Sequence, residues 1–295
     1  MKLIVREISK TYLSGAALDS FSHTFRPEVS VLLGPGGCGK SVLLQILSGE
    51  LTPESGAVFF ENEKGVCRET LKWGARYRKL LGFMPQADEP LPTFTVRQFL
   101  DHMATLRGLW GGKKRKQVSE LLAVLLPEET KDRPVRELSG GLRRRLSLAA
   151  ALIGDPPLLL LDEPLAGLDH FRKTTVARYL RSVSEGKIVI IASQYPDDAA
   201  LLADSVLFLR EGRLLCAAPE EELTEELSGK VWLLRASEEE AASLRDRVLV
   251  SGEGRMMGDC LLRVVADEPP TPDASPTAPV LADAYAAAFH QTKNA

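Results

Sequence analysis

Val29-Ser30-Val31-Leu32-Leu33-Gly34-Pro35-Gly36-Gly37-Cys38-Gly39-Lys40-Ser41-Val42-Leu43-Leu44-Gln45-Ile46-Leu47 is the stretch that decides the fold. A short apolar run enters a glycine cluster, and an apolar-periodic segment from Ser41 to Leu47 leaves it. The order is strand, tight loop, helix. Gly34 to Ser41 fits the pattern GxxxxGKS/T in the setting that gives it meaning. Glycines let successive backbone N–H groups curl around phosphate oxygens. The helix N-terminus, at Ser41 and Val42, adds partial positive charge. Lys40 is predicted to contact β- and γ-phosphates, and Ser41 to ligate Mg²⁺.

A second element answers the first. Leu158-Leu159-Leu160-Leu161-Asp162-Glu163 is a fully apolar strand ending in two carboxylates. Asp162 can hold Mg²⁺, directly or through water, and Glu163 can polarise an attacking water as general base. Together the two elements specify a P-loop nucleotidase. Ile188 to Ala192 is another apolar run, and such runs suit a parallel sheet covered on both faces. Lys2 to Ile8 suggests a strand. Between the phosphate loop and the acidic strand, Thr95 can cap a helix with Val96, Phe99, Leu100, Met103 and Leu106 at helical spacing. Gly111-Gly112 is read as the break before a second helix, which the basic run Lys113 to Lys116 opens, and Ser139 begins a third. The core is therefore α/β with a helical insertion.

Composition narrows the rest. Of 295 residues, 44% are hydrophobic and 26% charged, so a buried core is expected and disorder is not. The net charge of −3 gives none of the basic surface that nucleic acid usually requires, and no nucleic-acid partner is expected. Cys38, Cys67, Cys216 and Cys260 form no CxxC pair, which argues against a zinc site or disulfide framework. The N-terminus lacks the apolar stretch of a signal peptide. No window approaches the roughly 20 apolar residues of a membrane span, so any membrane role is expected to come through a partner.

Leu138-Ser139-Gly140-Gly141, just upstream of the acidic strand, resembles the LSGGQ signature of ATP-binding cassette (ABC) ATPases, and is followed by Leu142-Arg143-Arg144-Arg145-Leu146. The resemblance spans about residues 1 to 220, taken as the ABC ATPase domain. It implies a P-loop NTPase fold of the α/β class: a RecA-like core, an N-terminal antiparallel β subdomain and an α-helical signature subdomain at about 88–155. It implies ATP and Mg²⁺ as ligands. Phe83-Met84-Pro85-Gln86 looks like the family's Q-loop, in which Gln86 would reach Mg²⁺ and the attacking water. Ala166-Gly167-Leu168-Asp169 looks like the D-loop, with Asp169 crossing a dimer interface. Ser139, Gly140 and Gly141 would face the γ-phosphate held by a second protomer. Tyr12, after Lys10-Thr11, sits where the family has an adenine-stacking aromatic. In residues 221–295 a proline-rich connector, 267–279, precedes Pro279-Val280-Leu281-Ala282-Asp283-Ala284-Tyr285. With Val231-Trp232 and Leu262-Arg263-Val264-Val265, this resembles the small α+β C-terminal extension of bacterial exporter-type ABC ATPases. The implied function is an ATPase subunit, a homodimer or heterodimer, powering export through a separate multi-span membrane permease from the cytoplasmic face of the membrane.

The chain departs from the family at two places. Where members carry a switch histidine, it reads Ala192-Ser193-Gln194-Tyr195-Pro196. Gln194 can still hydrogen-bond a γ-phosphate or water, but it cannot take a proton or carry charge. Gly36 and Cys38 replace the usual Asn and Ala or Ser of the phosphate loop; Cys38 is expected to contribute mainly its backbone N–H. Slow hydrolysis, or a weak site in a mixed dimer, is the resulting expectation. Two other readings stay open: a soluble ABC ATPase acting on nucleic acid or ribosomes, and an ATP-dependent clamp that barely hydrolyses.

Overall fold

The computed structural model describes residues 1–12, 15–86, 93–256 and 258–290. The chain divides into two compact units, Met1–Cys216 and Ala217–Ala295.

The first unit opens with β1 (Lys2–Tyr12), β2 (Gly15–Phe25), β3 (Val29–Leu33), α1 (Lys40–Ser48), β4 (Ser55–Glu61) and β5 (Cys67–Glu69). Short helices α2 (Thr70–Trp73) and α3 (Ala75–Arg78) lead to β6 (Leu81–Met84). Then come α4 (Val96–Leu106), α5 (Gly111–Leu125) and α6 (Gly140–Leu152). The unit closes with β7 (Leu158–Asp162), α7 (His170–Val183), β8 (Ile188–Ser193), α8 (Pro196–Leu202), β9 (Ser205–Arg210) and β10 (Arg213–Ala218). One sheet has strand order β2-β1-β4-β5 and is antiparallel. The other has order β10-β9-β3-β8-β7-β6, with β9, β3, β8, β7 and β6 mutually parallel. Every residue of β3, β7 and β8 is buried, which is why these strands are continuous apolar runs rather than alternating ones. The register sets Leu33 opposite Ser193 and Asp162 opposite Ala192, so the strand ends that carry chemistry lie along one sheet edge.

The helical insertion is α4 to α6; residues 88–92 of the span expected for it lie outside the described residues. Thr95 caps α4 in a capping box: its hydroxyl accepts from Gln98 N at 3.2 Å, and Gln98 Oε1 accepts from Thr95 N at 2.9 Å. Two local expectations change. Leu106 is not buried with Val96, Phe99 and Leu100 but is 68% exposed, because α4 ends there. Gly111-Gly112 is not a break but the first turn of α5; the break is Arg107–Trp110, and a first turn needs no N–H partners within its helix.

The second unit contains α9 (Glu220–Glu225), β11 (Val231–Ala236), α10 (Glu238–Arg247), β12 (Leu249–Met256), β13 (Asp259–Val265), the two-residue β14 (Ser275–Pro276) and α11 (Leu281–His290). Its sheet runs β12-β13-β11-β14, all antiparallel, over a small core that includes Leu234, Leu244, Cys260, Leu262 and Val264. Asp283, wholly buried, anchors α11. It accepts from Arg263 Nε at 2.9 and 3.0 Å, from Arg263 Nη2 at 2.7 Å, from Val280 N at 2.8 Å and from the Ser251 hydroxyl. Among the described residues no helix is long and apolar enough to cross a membrane.

Candidate active site

The loop between β3 and α1 holds its shape for identifiable reasons. Gly37 and Gly39 have φ of +80° and +104°, a region costly for any residue with a Cβ. A Cβ on Gly39 would sit 2.1 Å from the Ala17 carbonyl oxygen, and one on Gly34 2.2 Å from that of Leu209. Gly36 differs: its φ is ordinary, and the nearest atom to a Cβ there would be Gln194 Oε1 at 3.9 Å. Among the described residues no backbone carbonyl receives the N–H groups of Gly36, Gly37, Gly39 or Ser41. These donors are therefore free to serve an anion. Lys40 is buried, and its ammonium donates to the carbonyls of Gly34 at 2.7 Å and Pro35 at 2.9 Å and to Cys38 Sγ at 3.6 Å. Cys38 is not the backbone donor expected of it, since its N–H is turned to the Pro35 carbonyl at 3.4 Å. Its buried side chain packs under Lys40 and fills the space beside Gly34, and burial pushes its thiol pKa up.

Ser41 and Asp162 meet. The Ser41 hydroxyl faces the buried Asp162 carboxylate; burial raises that carboxyl's pKa, while Ser41, Arg144 and Lys40 pull it back down. A hydroxyl and one carboxylate, both hard oxygen donors, suit Mg²⁺, which keeps waters and takes phosphate oxygens for its remaining positions. A cage of three or more acidic, His or Cys ligands is absent among the described residues and is not needed for that ion. Glu163 follows with φ +49°, its N–H bonded to the Ala192 carbonyl at 2.8 Å. Gln194, at the end of β8, turns its side-chain oxygen toward Gly36. Gln86, after β6, is exposed, and its carbonyl accepts from Arg144 Nη1 at 3.1 Å.

The remaining predicted residues stand apart from this cluster. Tyr12 is 45% exposed at the end of β1, with Lys10 Nζ 5.9 Å from its ring centre. Ser139 caps α6, accepting from Leu142 N at 3.4 Å, and Ser139 and Gly140 face solvent. Among the described residues no hydrogen bond or ion pair joins Ser139, Gly140 or Gly141 to residues 34–42. Asp169 caps α7, accepting from Arg172 N at 3.0 Å, and is exposed.

A family model described as ABC transporter matches residues 18–166. A Ralstonia nicotianae protein named "Nod factor export ATP-binding protein I" is 34% identical over 260 residues, covering 85% of this chain and 79% of that one. The chain belongs to the ABC transporter family. A mouse relative, "ABC-type organic anion transporter ABCA8A", is 33% identical over 218 residues, which are 72% of this chain but only 13% of that much longer protein. Among solved structures, a dimeric post-hydrolysis state of an ATP-binding cassette bound to ADP and Pi matches with a TM-score of 0.66. At 24% identity, over 74% of this chain and 98% of that one, it establishes the fold.

As an ABC ATPase, the chain binds ATP in a RecA-like core. Mg²⁺, when bound with ATP, supplies charge neutralisation on the phosphates. Sequence reading missed Arg144, which touches three backbone carbonyls around the acidic pair, and the Arg263–Asp283 pair of the extension. The triple-arginine run was visible, but backbone acceptors leave no side-chain signal by which to single out its middle member.

Proposed function

We propose that this chain is the ATP-hydrolysing motor of an exporter, working as a dimer against a separate multi-span permease at the cytoplasmic face of the membrane. The carrying observation is the division of the site. Ser41 meets Asp162, and Gln194 faces the loop, while the N-terminus of α6 at Ser139 points to solvent without touching its own phosphate loop. A signature so placed suits the nucleotide of a second protomer. Two protomers would sandwich two MgATP molecules head to tail; ATP closes the pair, and hydrolysis with phosphate release opens it.

In this reading Lys40 and the loop N–H groups hold the β- and γ-phosphates, Ser41 and Asp162 hold Mg²⁺, and Glu163 takes the proton of the attacking water. Gln86 and Gln194 orient that water and the γ-phosphate, Tyr12 stacks on the base, and Asp169 lies at the dimer interface. A groove of about 460 Å³ beside the Gln86 segment, lined by Phe83, Pro85, Phe99, Met103, Leu106 and Ala151, supports docking of a permease segment. Export is favoured by the Nod factor export relatives, whose match extends past the core into the C-terminal unit.

The test is Glu163→Gln with MgATP in an analytical ultracentrifuge. The expected result is an ATP-dependent dimer that does not turn over. A variant that binds MgATP and stays monomeric refutes the homodimer and calls for a different partner subunit. Gln194 favours a second reading in which the same dimer forms but hydrolyses slowly, because a glutamine cannot carry the charge of an imidazolium.

A further inference from the structure

Arg144 sits one turn into α6, five residues after the signature serine that caps this helix. Its guanidinium does not seek a carboxylate. Nε donates to the Glu163 carbonyl at 2.7 Å, Nη2 to the Asp162 carbonyl at 2.5 Å, and Nη1 to the Gln86 carbonyl at 3.1 Å. All three acceptors are main-chain atoms, and they come from the ends of two strands, β6 and β7, that pair side by side. The guanidinium is planar, with five N–H groups in a rigid fork, so one side chain can fix three carbonyls in a set arrangement.

The residue that most needs fixing is Glu163. Its φ of +49° is the left-handed region, which costs a side-chain-bearing residue roughly 1–2 kcal/mol. Such a conformation persists only where surroundings over-determine it. Here the Glu163 N–H is tied to Ala192, and its carbonyl receives both Ala166 N at 3.1 Å and Arg144 Nε. The first two ties come from the strand edge and the turn itself. Arg144 is the tie that comes from the helical insertion.

We infer that Arg144 is a positioning residue: it holds the Glu163 backbone, and with it the carboxylate that activates water, and it links that setting to the Gln86 segment and to the helix bearing the signature. The inference rests on the reading of Glu163 as the general base. Its consequence is directional. Movement of α6 when its N-terminus engages a nucleotide is carried by Arg144 to the acidic pair and the Q-loop of the same chain.

The experiment compares Arg144→Ala, Arg144→Lys, Glu163→Gln and the double variant Arg144→Ala/Glu163→Gln by steady-state and single-turnover ATPase, MgATP titration and thermal melting. Arg144→Ala is expected to lower kcat by about 10- to 100-fold, the scale of a misplaced catalytic group. KM for ATP and nucleotide affinity should stay within about twofold, since no ATP contact is removed. Lysine, able to reach fewer carbonyls from a point charge, should recover part of the rate. The double variant should be no slower than Glu163→Gln, because the two residues act as one unit. Wild-type kcat in Arg144→Ala overturns the proposal. So do losses that multiply in the double variant, or a lysine variant that loses stability and affinity together with rate. If Glu163→Gln itself keeps wild-type kcat, the assignment of the base falls, and the proposal with it.

Discussion

The four glycines of the phosphate loop do different work, and substituting each by alanine should separate them. At Gly39 an alanine pays twice: φ of +104° costs roughly 1–2 kcal/mol, and the Cβ would lie 2.1 Å from a main-chain oxygen that must move. Forced backbone shifts cost about 1–3 kcal/mol, so Gly39→Ala should lose about 2–5 kcal/mol in total. Gly37→Ala carries only the conformational part, about 1–2 kcal/mol, since nothing lies within 4 Å of its Cβ position. Gly34→Ala carries only the steric part, against the Leu209 carbonyl and Cys38 Sγ, about 1–3 kcal/mol. Gly36→Ala carries neither, and by restricting the unfolded chain it should be neutral or stabilising by up to about 1 kcal/mol. Equilibrium urea unfolding reads the cost to the fold, and titration with MgATP reads the cost to the cradle. Where the fold tolerates the change by distorting the loop, each 1.4 kcal/mol appears as about a tenfold loss of affinity. A Gly36→Ala variant as damaged as Gly39→Ala, or a Gly39→Ala variant like wild type in both assays, would refute this account of the loop.

Lys40→Ala should abolish MgATP binding while leaving the urea midpoint near wild type, because among the described residues the ammonium hydrogen-bonds only the loop carbonyls and Cys38; retained affinity in a fluorescence titration counts against the phosphate-loop assignment. Asp283→Ala leaves Arg263, whose side chain is 19% exposed, without its carboxylate, and should destabilise the C-terminal unit by about 3–5 kcal/mol. Unfolding followed by Trp232 fluorescence in a background lacking Trp73 and Trp110 measures this; a loss under about 1 kcal/mol would show the pair to be dispensable. Gln194→His should raise steady-state ATPase; a brisk wild-type rate with no gain on substitution removes the case for a weakened site.

The core was readable because burial on both faces leaves no ambiguity. β3 has the limits expected from Val29 to Leu33, and β7 and β8 each extend their apolar runs by one residue, Asp162 and Ser193. The cap at Thr95 was readable for a local reason, the reciprocal bond with Gln98. What escaped depended on partners distant in sequence or on the main chain. α10 buries only Ala241 and Leu244 beneath a charged surface, and β12 runs through Ser251-Gly252-Glu253-Gly254, so neither carries a periodic apolar signal. Arg144 escaped because its partners are carbonyls, which every residue has. Leu106 obeys helical spacing yet stays exposed, because periodicity cannot tell where packing stops.

Gly36 and Gln194 were separate departures in the sequence and are one feature in space. A side chain at 36 would begin 3.9 Å from Gln194 Oε1, so the asparagine usual at the first position and the histidine usual at the second would face each other across the loop. Here glycine leaves that gap open and glutamine reaches toward it. An amide can offer the same hydrogen-bond directions as an imidazole to a γ-phosphate or a water. It cannot supply a positive charge at the point where charge builds in the transition state, and such charge placement is commonly the larger part of phosphoryl-transfer catalysis. On the proposed function, the two changes together are therefore expected to weaken the turnover step more than the binding step. In that reading nucleotide affinity rests on Lys40, which bonds the loop carbonyls, and on the loop N–H groups, which neither change touches. On the proposed function, such a chain is expected to keep its ATP-driven closure and to stay closed longer, which single-turnover release of phosphate from wild type and Gln194→His would measure.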